Sequence, residues 1–307
     1  MLIRLAGAAA IAALLTVAPA GAQQSLRFAV TDVDGLESLQ RDFGPFKEAF
    51  ERASGLKVEF FAVPGRTAAI EAMAAKQLDF ALTGPAEYVV FRARMNAQPV
   101  VALTRPDYFS ELVILADGPV KALADLKRKK ISFGEIGSTS QHLGPAQILM
   151  ESGLVYGRDY EPVFVKRNVA VEALKRGDIA AIGMNPSHLQ IMRRAHPGVP
   201  LGVLARGRDH PGDVILAAPD VAPATVQKAR ETFLTKGDEL MKAVASVQGE
   251  NEKYAGGVFL PGISDRDYDV VRSMYRAVGI NQFTKSSVTD ACSIRHSGRA
   301  RARRALA

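Results

Sequence analysis

Phe133-Gly134-Glu135-Ile136-Gly137-Ser138-Thr139-Ser140 reads as the end of a strand, a glycine turn, three consecutive hydroxyl residues and the entry to a helix. The strand is Ile131 to Phe133, and the helix is Gln141 to Ser152, stopped by Gly153. A strand that turns directly into a helix is the repeating unit of an α/β sheet. It leaves the first N–H groups of the helix without backbone partners at the carboxyl edge of that sheet. Those donors and the positive end of the helix dipole favour a bound anion, and Ser and Thr hydroxyls add neutral donors. One N-cap needs one hydroxyl, so three in a row after a glycine turn point beyond capping to an oxyanion site. Pro145 removes one backbone donor within the first turns of this helix.

The same alternation extends in both directions. Towards the amino terminus, Leu26–Thr31, Lys57–Val63, Phe80–Leu82 and Val100–Leu103 read as strands, with helices at Leu39–Ala53, Thr67–Ala75 and Ala86–Met95 between them. After the turn-forming Arg105-Pro106-Asp107, strands are expected at Leu112–Ala116, Ile131–Phe133, Val163–Lys166, Ile179–Met184 and Val214–Ala217. Helices are expected at Val169–Arg176, Ser187–Ala195, Pro223–Lys236 and Asp265–Val278. Such alternation predicts an α/β protein of two lobes, each a mainly parallel sheet flanked by helices. Residues 23–105 would begin the first lobe, 106–212 would form the second, and 213–284 would return to finish the first. A ligand would lie in the cleft between them. A second helix start, Thr83-Gly84-Pro85-Ala86, needs no more than capping by Thr83 or Gly84 with Pro85 at the first helical position. If both starts face one cleft, each lobe contributes N–H groups to a small ligand.

The chain has 307 residues, 48% hydrophobic and 23% charged, enough for a substantial core and far from the composition of a disordered chain. Its single cysteine, Cys292, cannot form an internal disulfide, and no Cys/His cluster has zinc-site spacing. The net charge of +7 is unevenly placed. Arg4 is the one charge in the first 22 residues, and the last 23 hold six cations against Asp290, which leaves residues 23–284 near +1. The body therefore has no general attraction for nucleic acid or anionic membranes. Met1–Arg4, the apolar run Leu5–Val17 and the small residues Ala20-Gly21-Ala22 read as a signal peptide cleaved after Ala22, which places the mature chain in the periplasm. From Lys285 onward the sequence lacks periodicity and reads as a disordered basic tail.

Catalytic signatures are missing. Ser138 and Ser140 lack a Gly-x-Ser-x-Gly elbow, His142 is too near them in sequence to argue a triad, and there is neither Gly-x-Gly-x-x-Gly nor a Walker lysine motif. His188, His196, His210 and His296 show no metal-ligand spacing and read mostly as surface or capping residues. No enzyme activity, cofactor or metal is expected.

Several short motifs occur in a fixed order: Leu78-Asp79-Phe80-Ala81 with Gly84-Pro85-Ala86-Glu87-Tyr88, then Tyr108-Phe109-Ser110-Glu111-Leu112-Val113-Ile114, and Leu123-Ala124-Asp125-Leu126-Lys127. They continue through Ile131-Ser132-Phe133-Gly134, Ser138-Thr139-Ser140 with Pro145, Glu172-Ala173-Leu174 with Gly177-Asp178, and Pro211-Gly212-Asp213-Val214-Ile215. In these the chain resembles, from Leu26 to about Ile280, the PhnD-like periplasmic binding proteins of phosphonate, phosphite and phosphate ABC transporters, of the type 2 binding-protein fold. The resemblance implies that Ser138, Thr139 and Ser140 hold the ligand oxygens and that Tyr108 donates to the same oxyanion. Asp213 would accept a proton from a P–OH group and disfavour fully ionised sulfate. It also implies an ABC permease and ATPase complex in the inner membrane as partners, and a monomer that binds no nucleic acid. Departures narrow the ligand. Thr83 stands where aminoalkylphosphonate binders carry a tyrosine, Arg167 replaces a histidine, Ala180 and Ser187 replace the acidic groups that receive an ammonium, and Gln141 replaces a glycine. These favour phosphite, phosphate or methylphosphonate over aminoethylphosphonate. A binding protein for another small anion, or a ligand sensor for a membrane receptor, would use the same fold and cleft.

Overall fold

The computed structural model describes residues 25–33 and 35–283. The expected signal peptide, Cys292 and the basic tail lie outside the described residues. The chain opens as β1 (Leu26–Val30), α1 (Leu36–Ser54), β2 (Val58–Phe60), α2 (Arg66–Ala74), β3 (Phe80–Thr83), α3 (Pro85–Met95) and β4 (Gln98–Leu103). It then crosses to β5 (Phe109–Leu115), β6 (Lys130–Phe133), α4 (Gly144–Glu151), β7 (Glu161–Phe164), α5 (Arg167–Arg176), β8 (Ala181–Met184), α6 (Pro186–Ala195) and β9 (Leu201–Asp209). It returns through β10 (Asp213–Ala217), α7 (Pro223–Thr235), α8 (Gly237–Ala245), β11 (Phe259–Leu260) and α9 (Asp269–Ala277).

Two sheets result, a six-stranded one in the order β11-β4-β10-β3-β1-β2 and a five-stranded one in the order β7-β6-β8-β5-β9. The α/β two-lobed architecture is the expected one, but the sheets are mixed rather than mainly parallel. In the first, β1 pairs parallel with β2 and β3, while β10 returns from the other lobe and inserts between β3 and β4, antiparallel to both. All five residues of β10 are buried, as an insertion into a sheet interior requires. In the second, β6 is parallel to β7 and β8, whereas β5 is antiparallel to β8 and β9. Strand direction across a long insertion leaves no trace in local periodicity. Strand β9 escapes sequence reading because it is an edge strand, largely solvent-facing, with Arg206, Arg208 and Asp209 at its far end.

Apolar faces fix the layers. On one side of the first sheet Phe43, Phe46 and Phe50 of α1 meet Phe233 of α7, with the rings of Phe50 and Phe233 stacked at 5.0 Å. On the other side Tyr88 and Phe91 of α3 pack with Val271 and Met274 of α9. The second sheet is sandwiched between α4, through Leu149 on Phe133 and Leu112, and the pair α5 and α6, through Val171 and Leu189 on Val113 and Ile182. Helix α9 also reaches the second lobe, where Gln147 Nε2 donates to Ser273 Oγ at 2.9 Å.

Two short segments cross between the lobes, and the N–H of His210 on one donates to the carbonyl of Tyr108 on the other at 2.8 Å. Gly212 permits this closeness, because a Cβ there would lie 2.4 Å from the Leu103 carbonyl oxygen. The hydroxyl-rich helix start departs from the expected regular helix. Thr139–Leu143 forms a π turn in which the Gly144 N–H bonds to the Thr139 carbonyl, and only then does α4 begin. Pro145 has no N–H to give the Gln141 carbonyl, so the first turn widens. That widened turn lies directly on β8, where a Cβ at Gly183 would meet the Gln141 carbonyl oxygen at 2.6 Å and Pro145 Cγ at 2.7 Å. Gly183→Ala should therefore push the helix start off the sheet, costing about 1–3 kcal/mol by urea denaturation. Gly198→Ala, with open space around it, should change stability by less than about 0.5 kcal/mol, and equal effects at the two positions would refute the packing argument.

Candidate functional site

A cavity of about 190 Å³ lies between the lobes, with the carboxyl ends of β3, β6 and β8 leading into its walls. Of the residues singled out from sequence, Gly84, Tyr108, Ser138, Thr139, Ser140, Gln141, Arg167 and Asp213 line it. Thr83 does not. It lies behind the wall, where its hydroxyl is engaged with that of Thr31 at 3.1 Å, and Gly84 next to it forms the surface.

The three hydroxyls have separate duties. Ser138 is the N-cap, its Oγ accepting from the Gln141 N–H at 3.4 Å. Thr139 Oγ1 accepts from the Ala86 N–H at 3.0 Å, so the first turn of α3 in one lobe bonds directly to the helix start of the other. Ser140 Oγ accepts from Asn185 Nδ2 at 3.0 Å, and Asn185 in turn caps α6 by accepting from the His188 N–H at 2.9 Å. Tyr108 is buried and hydrogen-bonded to Thr139, and burial pushes its phenol up to about 12 against the opposing charge of Arg105.

The cavity is far more charged than a neutral-donor site. Sequence reading missed Asp32, Arg66, Arg105, Glu135, Glu250 and Lys253, which come from five separate stretches of chain; Glu135 stands within the hydroxyl-rich motif but was given no role, and the others carry no site motif. Arg66 binds Glu87 and reaches across the cleft to Glu135 at 3.0 Å. Arg167 binds Glu250 across the cleft and touches His188 at 3.2 Å. Lys253 binds Asp32. Burial works to raise Asp32, but Lys253, Arg66 and Arg105 outweigh it and hold its carboxyl well below the usual range. Hydrogen bonding from His188 draws Glu250 down to about 2, aided by the charges of His188, Arg167 and Lys253 against the effect of burial. Burial raises Glu87 despite its contact with Arg66. Asp213 has a partner at each oxygen: its Oδ2 accepts from Tyr254 Oη at 2.7 Å and its Oδ1 from Arg105 Nη1 at 3.4 Å. The Arg105 guanidinium lies 3.7 Å over the Tyr108 ring.

His188 corrects the expectation of a surface histidine, since it is buried, and His142 is buried as well. His142 Nδ1 accepts from the Gly137 N–H at 3.0 Å and so braces the turn before the hydroxyls. Among the described residues no helix is long and apolar enough to cross a membrane, and no cluster of His, Cys, Asp and Glu has the arrangement of a metal site.

The fold is thus a two-lobed α/β architecture with a small polar cavity between the lobes, walled by a helix start from each. Residues 28–252 match the family described as "ABC transporter, phosphonate, periplasmic substrate-binding protein", and the chain belongs to that family. It is 27% identical over 241 residues to the phosphonates-binding periplasmic protein of Escherichia coli, covering 74% of this chain and 71% of that one. It is 30% identical over 172 residues to the phosphate-import protein PhnD of Mycolicibacterium smegmatis, covering 50% and 53% respectively. In structure it resembles PhnD1 of Prochlorococcus marinus in complex with methylphosphonate, with a TM-score of 0.67 at 16% identity over 83% of this chain and 98% of that one, a likeness of fold.

Burial lowers both His142 and His188 to about 4, so each is neutral in the fold at pH 7. An unfolded histidine titrates near 6.5. Between about 6.5 and 4 the unfolded chain takes up protons that the fold excludes, so stability is greatest above that window and falls as pH drops through it. The loss reaches about 1.4 kcal/mol per pH unit for each histidine. Tm measured from about pH 7.5 down to about 4.5 should decline below 6.5, whereas a level Tm across that range would refute the buried neutral histidines.

Proposed function

We propose that this chain is the extracytoplasmic substrate-binding component of an ABC importer for a compact phosphorus oxyanion: phosphite, phosphate or a small phosphonate such as methylphosphonate. The observation that carries this reading is the meeting of two helix starts, Gly84–Ala86 and Ser138–Ser140, across one small cavity. Both starts bring the positive end of a helix dipole to this cavity, which favours an oxyanion, while the backbone N–H groups fall to the Ser138–Ser140 side, since Pro85 has none and the Ala86 N–H is bonded to Thr139 Oγ1. A volume of about 190 Å³ lies below the roughly 300–1,000 Å³ of sites for larger organic ligands, which favours a few-atom anion. The names of the Escherichia coli, Mycolicibacterium smegmatis and Prochlorococcus marinus relatives support the same ligand class.

In this reading residues 1–22 direct export to the periplasm and are removed. Residues 23–105 with 213–284 form one lobe, and 106–212 form the other. The monomer closes on the anion, because only the closed form satisfies the ligand from both lobes, and ligand shifts the population by that difference in affinity. The closed form is what an inner-membrane permease and its ATPase recognise. The protein catalyses no reaction and needs no cofactor. Calorimetric titration of the chain with phosphite, phosphate, methylphosphonate, aminoethylphosphonate and sulfate tests this. Binding of a phosphorus oxyanion at micromolar or tighter affinity is expected, with aminoethylphosphonate weaker. Loss of about 10–100-fold is expected in Ser138→Ala/Thr139→Ala, the scale of one or two hydrogen bonds to a charged ligand. No heat with any phosphorus anion would overturn the reading.

A further inference from the structure

We propose that the side chain of Gln141 sets the size of the group on phosphorus that this cavity admits, limiting it to hydrogen, hydroxyl or methyl, an inference that rests on the functional reading above. Gln141 is the third residue of the widened turn Thr139–Leu143, so its side chain leaves the backbone beside the hydroxyls of the helix start. A substituent on a phosphorus held at that start has this side chain as a neighbour. Gln141 lines the cavity and is otherwise buried, with 8% of its surface accessible. Its Nε2 makes no hydrogen bond among the described residues and yet keeps accessible surface. For a residue buried on its other sides, the space that Nε2 borders is the cavity.

The carboxamide has no room to withdraw. Behind it stands Gly134, where β6 ends, and a Cβ there would come within 2.3 Å of Gln141 Oε1 and 2.8 Å of its Cδ. Oε1 accepts from Arg167 Nη1 at 3.5 Å, and Arg167 is itself bound to Glu250 across the cleft. The base of the residue is fixed as well, since its N–H serves the Ser138 cap and its carbonyl lies against β8 at Gly183. The walls on either side are tied by the Ala86–Thr139 and Asn185–Ser140 bonds. In a cavity of about 190 Å³, a methylene added to the ligand on this side meets the amide, and close-packed surroundings yield to such overpacking only at a cost.

Changing this side chain leaves the rest of the site in place. The Ser138 cap uses the backbone N–H of residue 141, which any residue but proline supplies, and the Arg66–Glu135 and Arg167–Glu250 pairs do not pass through it. A shorter residue at 141 therefore widens the cavity without removing a charge or a helix start. Gly134→Ala acts in the opposite sense. Its methyl group displaces the amide from the end of β6, and the open side is the cavity, so the space for a substituent shrinks.

The test is calorimetric titration of the full chain, at one pH, with phosphite, methylphosphonate, ethylphosphonate and propylphosphonate. Wild-type affinity should fall about tenfold or more for each methylene added beyond methyl. Gln141→Ala should reduce that loss to about threefold or less per methylene, while Gln141→Met, whose chain has the same length, should keep the wild-type order. A loosened fold would weaken every ligand together, so the readout is the ratio between ligands. Gly134→Ala should weaken methylphosphonate about tenfold relative to phosphite, and Gly134→Ala/Gln141→Ala should restore the ratio. Gln141→Asn, one methylene shorter, should admit ethylphosphonate and still resist propylphosphonate, and it decides the matter if Gln141→Ala does not fold. Equal affinities from methyl to propyl in the wild type, or wild-type ratios in the shortened variants, would overturn the inference. Absence of binding by phosphite, phosphate and methylphosphonate to the wild type would overturn the functional reading instead.

Discussion

The bond from the Ala86 N–H to the Thr139 hydroxyl, at 3.0 Å, is the point on which the rest of the structure turns. It spans the cleft between two domains built on separate sheets, and it joins two helix starts whose positive ends would otherwise repel across the gap. A hydroxyl is the group that permits this, since it accepts from one lobe and donates elsewhere without adding charge. Everything around it serves to hold the two starts at that separation. Gly183 lets the widened turn lie on β8, Gly212 lets the crossing segments touch, and the Gln147–Ser273 bond pins α4 to α9 behind the cavity.

The charges follow from the same constraint. A pocket meant for an anion gains affinity from cations, but unpaired cations in a small buried space are expensive to keep when no anion is there. Each cation in this wall has a carboxylate partner, and two pairings, Arg66–Glu135 and Arg167–Glu250, run from one lobe to the other. Such half-exposed pairs contribute little individually. Their effect is on geometry, since they define the cleft mouth and restrict where an anion can sit. The cavity lining shows the same balance as residues 23–284, whose charge is near +1: four carboxylates, Asp32, Glu135, Asp213 and Glu250, face four cations, Arg66, Arg105, Arg167 and Lys253.

Much of this was legible in the sequence, and the division follows physical lines. The strands and helices of the first lobe announce themselves because hydrophobic period and glycine stops are local signals, as at Leu39–Ala53 with Gly55. The Ser138–Ser140 start is legible because helix capping and anion binding use adjacent residues. The place of β10 is not, since pairing with β3 and β4 depends on a chain that leaves and returns. Nor are Arg66, Arg105 and Lys253, each of which lies in a stretch with no motif of its own and joins the site only through folding. Thr83 shows the converse: strand alternation places it at the right height but turns its hydroxyl to Thr31 rather than the cavity.

The measurement that tests the central claim most directly is a crystal structure of the chain grown with methylphosphonate. The account predicts that the phosphorus sits between Ser138–Ser140 and Gly84, with its oxygens within hydrogen-bond distance of groups from both lobes. A phosphonate bound to one lobe alone, or held outside this cavity, would contradict it.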